Sequence, residues 1–254
     1  MHSLFLAVPL NLAIGALLGL AGGLLGIGGG LIAIPVLGLL YGMNQHMAQG
    51  TALVMIAPNV LVGFLRYRQR HHIALRPVIA MGLASMVTTW LAARAATGID
   101  PARLHMAFAV FLVVLALYFG LKGDQAAAAE GTARPLPPAA LPVLGAISGG
   151  MSGFFTVGGG LVVVPALVGL FNVAQARAQG MALALVVPGT LVALSTYAGE
   201  GQVDWRVGIP LAVGGVLSVS AGVTLAHRFP ARSLRLLFCA VLLATAALMF
   251  AAGH

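Results

Sequence analysis

Gly23-Leu-Leu-Gly26-Ile-Gly28-Gly29-Gly30-Leu31-Ile-Ala-Ile-Pro35 has a counterpart 130 residues later, Gly153-Phe-Phe-Thr156-Val-Gly158-Gly159-Gly160-Leu161-Val-Val-Val-Pro165. Three adjacent glycines inside apolar sequence break a helix and uncover backbone N–H groups. A helix that starts just after them points the positive end of its dipole at the break. Such a break can hold an anion without a Lys or Arg. The glycines before each run are spaced differently, as Gly15-x-x-x-Gly19-x-x-x-Gly23 and Gly145-x-x-x-Gly149-x-x-x-Gly153. That four-residue period is a ridge of small residues suited to close helix packing.

Outward from these stretches, the same shift continues to align residues. It pairs Gln45 with Gln175, Ala48-Gln49-Gly50 with Ala178-Gln179-Gly180, and Pro58 with Pro188. About a third of positions from Gly15 to Val78 match without a gap. Coincident Pro, Gln and triple Gly are not expected from Leu/Ala/Gly composition alone, so the chain is an internal repeat.

The medium is set by composition. Of 254 residues, 60% are apolar and 7% charged, where a soluble domain carries about 25% charged residues. This chain cannot cover itself with polar groups, so lipid must do so. Apolar segments fall within Leu4 to Met43 (broken at the glycines), then at about Gln49–Leu65, Pro77–Ala93 and Leu104–Leu121. They recur within Leu141 to Leu170 (broken again), then at Gln179–Tyr197, Val207–Ala226 and Leu236–Ala252. The expected fold is an all-α integral membrane protein of two inverted-topology repeats, with eight to ten membrane-embedded helical segments. Residues 1–121 form the first repeat, 122–138 a linker and 139–254 the second. Each Gly-broken element is either a full span or re-entrant.

The inversion is read from charge. The loop holding Arg66, Arg68, Arg70 and Arg76 should be cytoplasmic, whereas its counterpart holds Glu200, Asp204 and Arg206. The next pair reverses the bias, with Arg94, Asp100 and Arg103 against Arg228, Arg232 and Arg235. Under the positive-inside rule equivalent loops then face opposite sides, as in many secondary transporters. The linker falls inside and both termini outside, in the cytoplasmic (inner) membrane. Tyr41, Tyr67, Tyr118, Tyr197 and Trp205 lie near segment ends and are expected at the interface. No cleavable signal peptide is evident in the first residues.

Candidate site residues follow from the breaks: Gly28, Gly29, Gly30, Gly158, Gly159 and Gly160. Gln49 and Gln179 either donate to an anion's oxygens or cap and link helices. Asn59 follows Pro58 within a span and, with Ser195 and Thr196, is expected to line a cavity. Thr51, Thr88 and Thr156 are further polar candidates, although membrane threonines often bond back to their own helix. All five acids (Asp100, Asp124, Glu130, Glu200, Asp204) fall in expected loops, which disfavours a proton relay built on embedded carboxylates. No metal-ligand spacing, no catalytic triad and no cofactor motif is apparent, so an enzyme is not expected. The net charge of +8 lies in short loops and reads as a topology signal, not as a nucleic-acid face.

The doubled glycine pattern (Gly22 to Pro35, echoed at Gly149 to Pro165) and Gln49-Gly50-Thr51-Ala52 resemble the TauE/SafE sulfite exporter family across nearly the whole chain. The resemblance implies transport of small sulfur-containing anions such as sulfite, sulfonates or thiosulfate, with export often proposed. It also implies that Gly28–Gly30, Gly158–Gly160, Gln49 and Gln179 line the pathway. Thr156 in place of Gly26, and Met181 in place of Thr51, make the two half-sites unequal. The expected partners are a small anion and the lipid bilayer; the oligomeric state stays open, a homodimer among the options. A passive anion channel, or an importer of another oxyanion or carboxylate, is the competing reading.

Overall fold

The computed structural model describes residues 2–25, 29–70, 75–121, 137–157, 159–171, 173, 175–226 and 229–252. The described chain is helical throughout. Its α-helices are α1 (His2–Leu25), α2 (Gly30–Tyr41), α3 (Gln45–Arg70), α4 (Leu75–Thr97) and α5 (Pro101–Leu121). After a short 3-10 turn come α6 (Leu141–Phe155), α7 (Gly160–Phe171), α8 (Gln175–Gly199), α9 (Trp205–Ala226) and α10 (Ala231–Ala252). Six of them, α3, α4, α5, α8, α9 and α10, contain stretches long and apolar enough to cross a membrane. Leu17 and Leu217 remain 69% and 76% exposed. In water such residues would be costly; against lipid they are at home.

Helix starts lie a turn earlier than the apolar runs, because polar caps extend them. The Asn44 side chain accepts from Met47 N–H at 2.9 Å, and α3 begins at Gln45. Asp100 accepts from Ala102 and Arg103 N–H at 3.0 and 3.2 Å, starting α5 at Pro101. Asp204 caps α9 in the same way, accepting from Arg206 at 2.9 Å and Val207 at 3.3 Å. Each cap satisfies N–H groups that the first turn leaves without carbonyl partners. The described acids thus sit in loops and serve as caps or turn residues, as the spacing predicts.

The glycine ridges decide which helices meet. On α1, Gly15, Gly19 and Gly23 lie against Leu211, Gly215 and Val219 of α9. On α6, Gly145, Gly149 and Gly153 lie against Met81, Ser85 and Thr89 of α4. Each partner in the first set is 130 positions beyond its counterpart in the second. A β-carbon on any of these six glycines would come within 2.5 Å of a backbone atom across the interface. Only glycine permits that approach, and dispersion over the closely packed backbones then holds the helices together without a hydrophobic drive. The larger of the other pairs also exchange under the repeat: α3 with α9 and α4 with α8, α2 with α3 and α7 with α8. The pairs α3–α8 and α5–α10 map onto themselves. The first helix of each repeat therefore packs on the fourth helix of the other, and neither repeat is a separate globule.

One expectation is overturned here. Tyr197 is not an interfacial aromatic; it is fully buried, with its hydroxyl donating to Gln49 Oε1 at 2.6 Å. Burial of a phenol in lipid-surrounded protein demands such a partner. Trp205 and Tyr118 are 47% and 40% exposed and fit the interfacial role. The Tyr67 side chain lies outside what the structure describes. Arg94 is exposed, its guanidinium 5.1 Å above the Trp90 ring.

Candidate functional site

Both glycine runs break the helix. In the first, Gly29 adopts φ 86°, ψ −10° and caps α2, which starts at Gly30. Its carbonyl accepts from Ile32 and Ala33 N–H at 3.3 and 3.0 Å. In the second, the Gly159 carbonyl accepts from Val162 and Val163, both at 3.1 Å, and α7 starts at Gly160. The N–H groups of Gly30, Leu31, Gly160 and Leu161 therefore open their helices with no carbonyl four residues back in the same helix. Gly28 and Gly158 lie outside the described residues.

The two breaks adjoin. A β-carbon at Gly30 would stand 3.6 Å from the carbonyl oxygen of Thr156, which ends α6 four residues before α7 begins. Gly29 lies beside Met55 and Gly30 beside Ile56, in the middle of the apolar stretch Gln45–Leu65 of α3. The 130-residue shift reproduces the Gly30 contact, with Gly160 beside Val186 of α8. Thr156 holds φ 56°, ψ 16°, and among the described residues it is the only non-glycine with positive φ. Its N–H donates to Ser152 O at 2.9 Å and its hydroxyl to Phe155 O at 2.7 Å. A β-branched side chain in that region costs about 1–3 kcal/mol and persists only where its surroundings hold it.

Asn59 lies one turn along α3 from Met55. It is 2% exposed, and neither its Nδ2 nor its Oδ1 has a hydrogen-bond partner. Both atoms lie over Gly215 of α9, where a β-carbon would come 2.9 Å from Nδ2 and 3.2 Å from Oδ1. The equivalent position in the second repeat is Gly189, surrounded instead by hydroxyls. A β-carbon there would sit 3.5 Å from Thr89 Oγ1, 3.7 Å from Ser85 Oγ and 3.8 Å from Ser152 Oγ. Ser85, Thr89 and Ser152 are all buried, and Ser152 Oγ has no partner. The half-sites are thus unequal at a pair of positions beyond the two visible in the motif. Sequence reading passed over Ser85, Thr89, Ser148 and Ser152. Ser148 and Ser152, one turn apart beside the glycine ridge of α6, were the available signal.

Gln49 and Thr51 form a different cluster. Gln49 is fully buried, accepts from Tyr197, and leaves its Nε2 without a partner. Thr51 Oγ1 accepts from Asp204 N–H at 3.0 Å. Gly50 sits so close to the Gln202 carbonyl that a β-carbon would overlap it at 1.9 Å. These contacts seat the α8–α9 loop on the start of α3. Gln49 and Asn59 are ten residues apart on one helix, about 15 Å at 1.5 Å per residue, so one small anion cannot touch both at once. The Gln179 side chain lies outside the described residues. Thr88 donates to Ala84 O, and Ser195 and Thr196 both donate to Val192 O. These three hydroxyls are satisfied within their own helices. The space between α3 and α8 beside Pro58 is a cavity of about 290 Å³ lined by apolar residues including Val54, Ala57, Leu61, Val187 and Leu191. With no polar group there, it is not an anion site.

Residues 11–249 match the family described as "Sulfite exporter TauE/SafE". The chain belongs to this family. Curated proteins of similar length, described as probable membrane transporters, resemble it over most of its length. A "Probable membrane transporter protein" of Xylella fastidiosa (strain 9a5c) is 28% identical over 220 residues, covering 85% of this chain and 84% of that protein. One of the same description from Methanocaldococcus jannaschii is 27% identical over 253 residues, covering 93% of each. Family and helices together make this a multi-pass membrane transporter.

Proposed function

We propose that this TauE/SafE chain is a secondary carrier, operating as an exporter of small sulfur-containing oxyanions such as sulfite or organosulfonates. The site is taken to lie where the two breaks adjoin, and alternating access arises from rocking of one repeat against the other. The observation that carries this reading is the approach of Gly30 to Thr156 at the middle of the α3 apolar stretch. It sets the start of α2 beside the end of α6 from the other repeat, about one helical turn from the buried, unpartnered Asn59 amide on α3 and the Ser152 hydroxyl on α6. Helix starts and neutral donors bind anions without a fixed cation. Sulfur chemistry and direction come from the family description alone. The arginine bias of equivalent loops supports an inverted topology in the inner membrane, with the 122–138 linker inside and both termini outside.

Purified protein in liposomes is expected to show saturable sulfite or sulfonate flux with counterflow. Flux that neither saturates nor shows counterflow would identify a channel. Gly30→Ala is the suitable site variant, because the overlap of its β-carbon, 2.5 Å, is with the flexible end of Ile56, while the Thr156 carbonyl oxygen stays at an ordinary 3.6 Å. It is expected to fold and to lower flux several-fold; unchanged flux would remove the break from the pathway. Topology is checked in a variant lacking Cys239, with single cysteines at His71 (outside the described residues) and at Gln202. Labelling from the same side of the membrane would refute the inversion.

A further inference from the structure

The buried amide of Asn59 asks for a ligand with two faces. Its Nδ2 needs an acceptor and its Oδ1 needs a donor, and neither finds one among the described residues. The large majority of buried side-chain polar atoms in proteins are paired, so a side chain with both ends unpaired is exceptional. A fully deprotonated oxyanion satisfies only the Nδ2 end, because it carries no hydrogen to give. A protonated oxyanion satisfies both.

Charge points the same way. The buried polar side chains among the described residues are amides, hydroxyls and one imidazole, His46, and none is Lys or Arg. Each helix start contributes about half a positive charge, so even α2 and α7 together offset no more than about one negative charge, not two. The desolvation cost of an ion grows with the square of its charge, so a dianion costs about four times as much as a monoanion of equal size.

We propose that the site accepts the protonated monoanion, hydrogen sulfite, and rejects the sulfite dianion. Asn59 Nδ2 donates to an unprotonated oxygen, and Oδ1 accepts the anion's O–H. This inference rests on the carrier reading above and specifies its substrate. Among the described residues, no titrating group stands beside Asn59. On α3, His46 is thirteen residues away, about 20 Å, and Arg66, Tyr67, Arg68 and Arg70 begin seven residues further on. Tyr41 ends α2. On α5, His105 is engaged with Gln45 and the Met249 carbonyl, Arg103 is exposed and Tyr118 lies near the far end. On α8, Tyr197 bonds Gln49 and Arg177 lies near the first turn. On α9, Arg206 is exposed at the start.

The test measures uptake into proteoliposomes of total sulfite and of methanesulfonate, a monoanion at every pH used, while pH is raised through the titration of hydrogen sulfite near neutrality. Sulfite flux is expected to fall about tenfold per pH unit above that titration, with methanesulfonate flux flat. Sulfite flux that holds steady or rises while methanesulfonate stays flat overturns the inference and leaves the carrier intact. Flux of neither anion at any pH overturns the carrier reading and this inference with it. Asn59→Leu is expected to lower hydrogen sulfite flux at least tenfold relative to methanesulfonate flux. A folded Asn59→Leu protein with an unchanged ratio shows that Asn59 merely holds a buried water, and overturns the assignment.

Discussion

Adjacent glycines on α6 offer a sharp test of what holds the repeats together. A β-carbon at Gly149 would meet Ser85 O at 2.3 Å and Thr88 Oγ1 at 2.3 Å, whereas one at Gly150 meets nothing within 4 Å. Thr88 can rotate away; the Ser85 carbonyl is main chain and cannot. In Gly149→Ala, the α4–α6 pair must open by at least about 0.7 Å to restore a 3.0 Å contact. A gap of that order forfeits a quarter to a half of each dispersion contact, and each is worth about 0.1–0.2 kcal/mol. Over about forty atom pairs the loss is about 2 kcal/mol, within the range for overpacked cores. Gly150→Ala carries no such cost and gains up to about 1 kcal/mol of helix propensity. Thermal unfolding in detergent should place the Gly149→Ala midpoint about 5 °C below wild type, with Gly150→Ala at or slightly above it. Equal midpoints for the two variants would refute the close-packing account. Gly19→Ala on α1, where a β-carbon comes 2.5 Å from the Gly215 backbone, should behave like Gly149→Ala.

Thr156→Gly should raise stability by about 1 kcal/mol, since glycine holds a left-handed backbone without the β-branched cost; a lower midpoint than wild type in the same unfolding assay would show that Thr156 is not strained. Tyr197→Phe leaves the fully buried Gln49 carbonyl oxygen unpaired and should cost about 1–3 kcal/mol. The double variant with Gln49→Leu should cost less than the sum of the single variants, and strict additivity would argue against the Tyr197–Gln49 hydrogen bond. Gly50→Ala should unseat the α8–α9 loop, because its β-carbon overlaps Gln202 O, and protease should then cut near Gln202 faster than in wild type.

Much of this architecture was legible from one dimension because a membrane leaves few choices. Apolar runs of about twenty residues must be helices, and Gly29-Gly30 and Gly159-Gly160 cannot continue one smoothly. The repeat was visible because Pro, Gln and triple Gly recur at one spacing. The small-residue ridges announced close packing, although not which helix each would meet. Tertiary structure alone sent α1 to α9 and α6 to α4, a choice between partners of similar composition that depends on the shape left by glycine at three successive turns. It alone buried Tyr197, which sits near a segment end in sequence and at the centre of a hydrogen-bonded cluster in space. It also separated Gln49 from Asn59, since motif proximity says nothing of the about 15 Å that ten helical residues span. Finally, it left Asn59 unpaired beside Gly215, because a side chain's partners come from elements that the sequence does not place next to it.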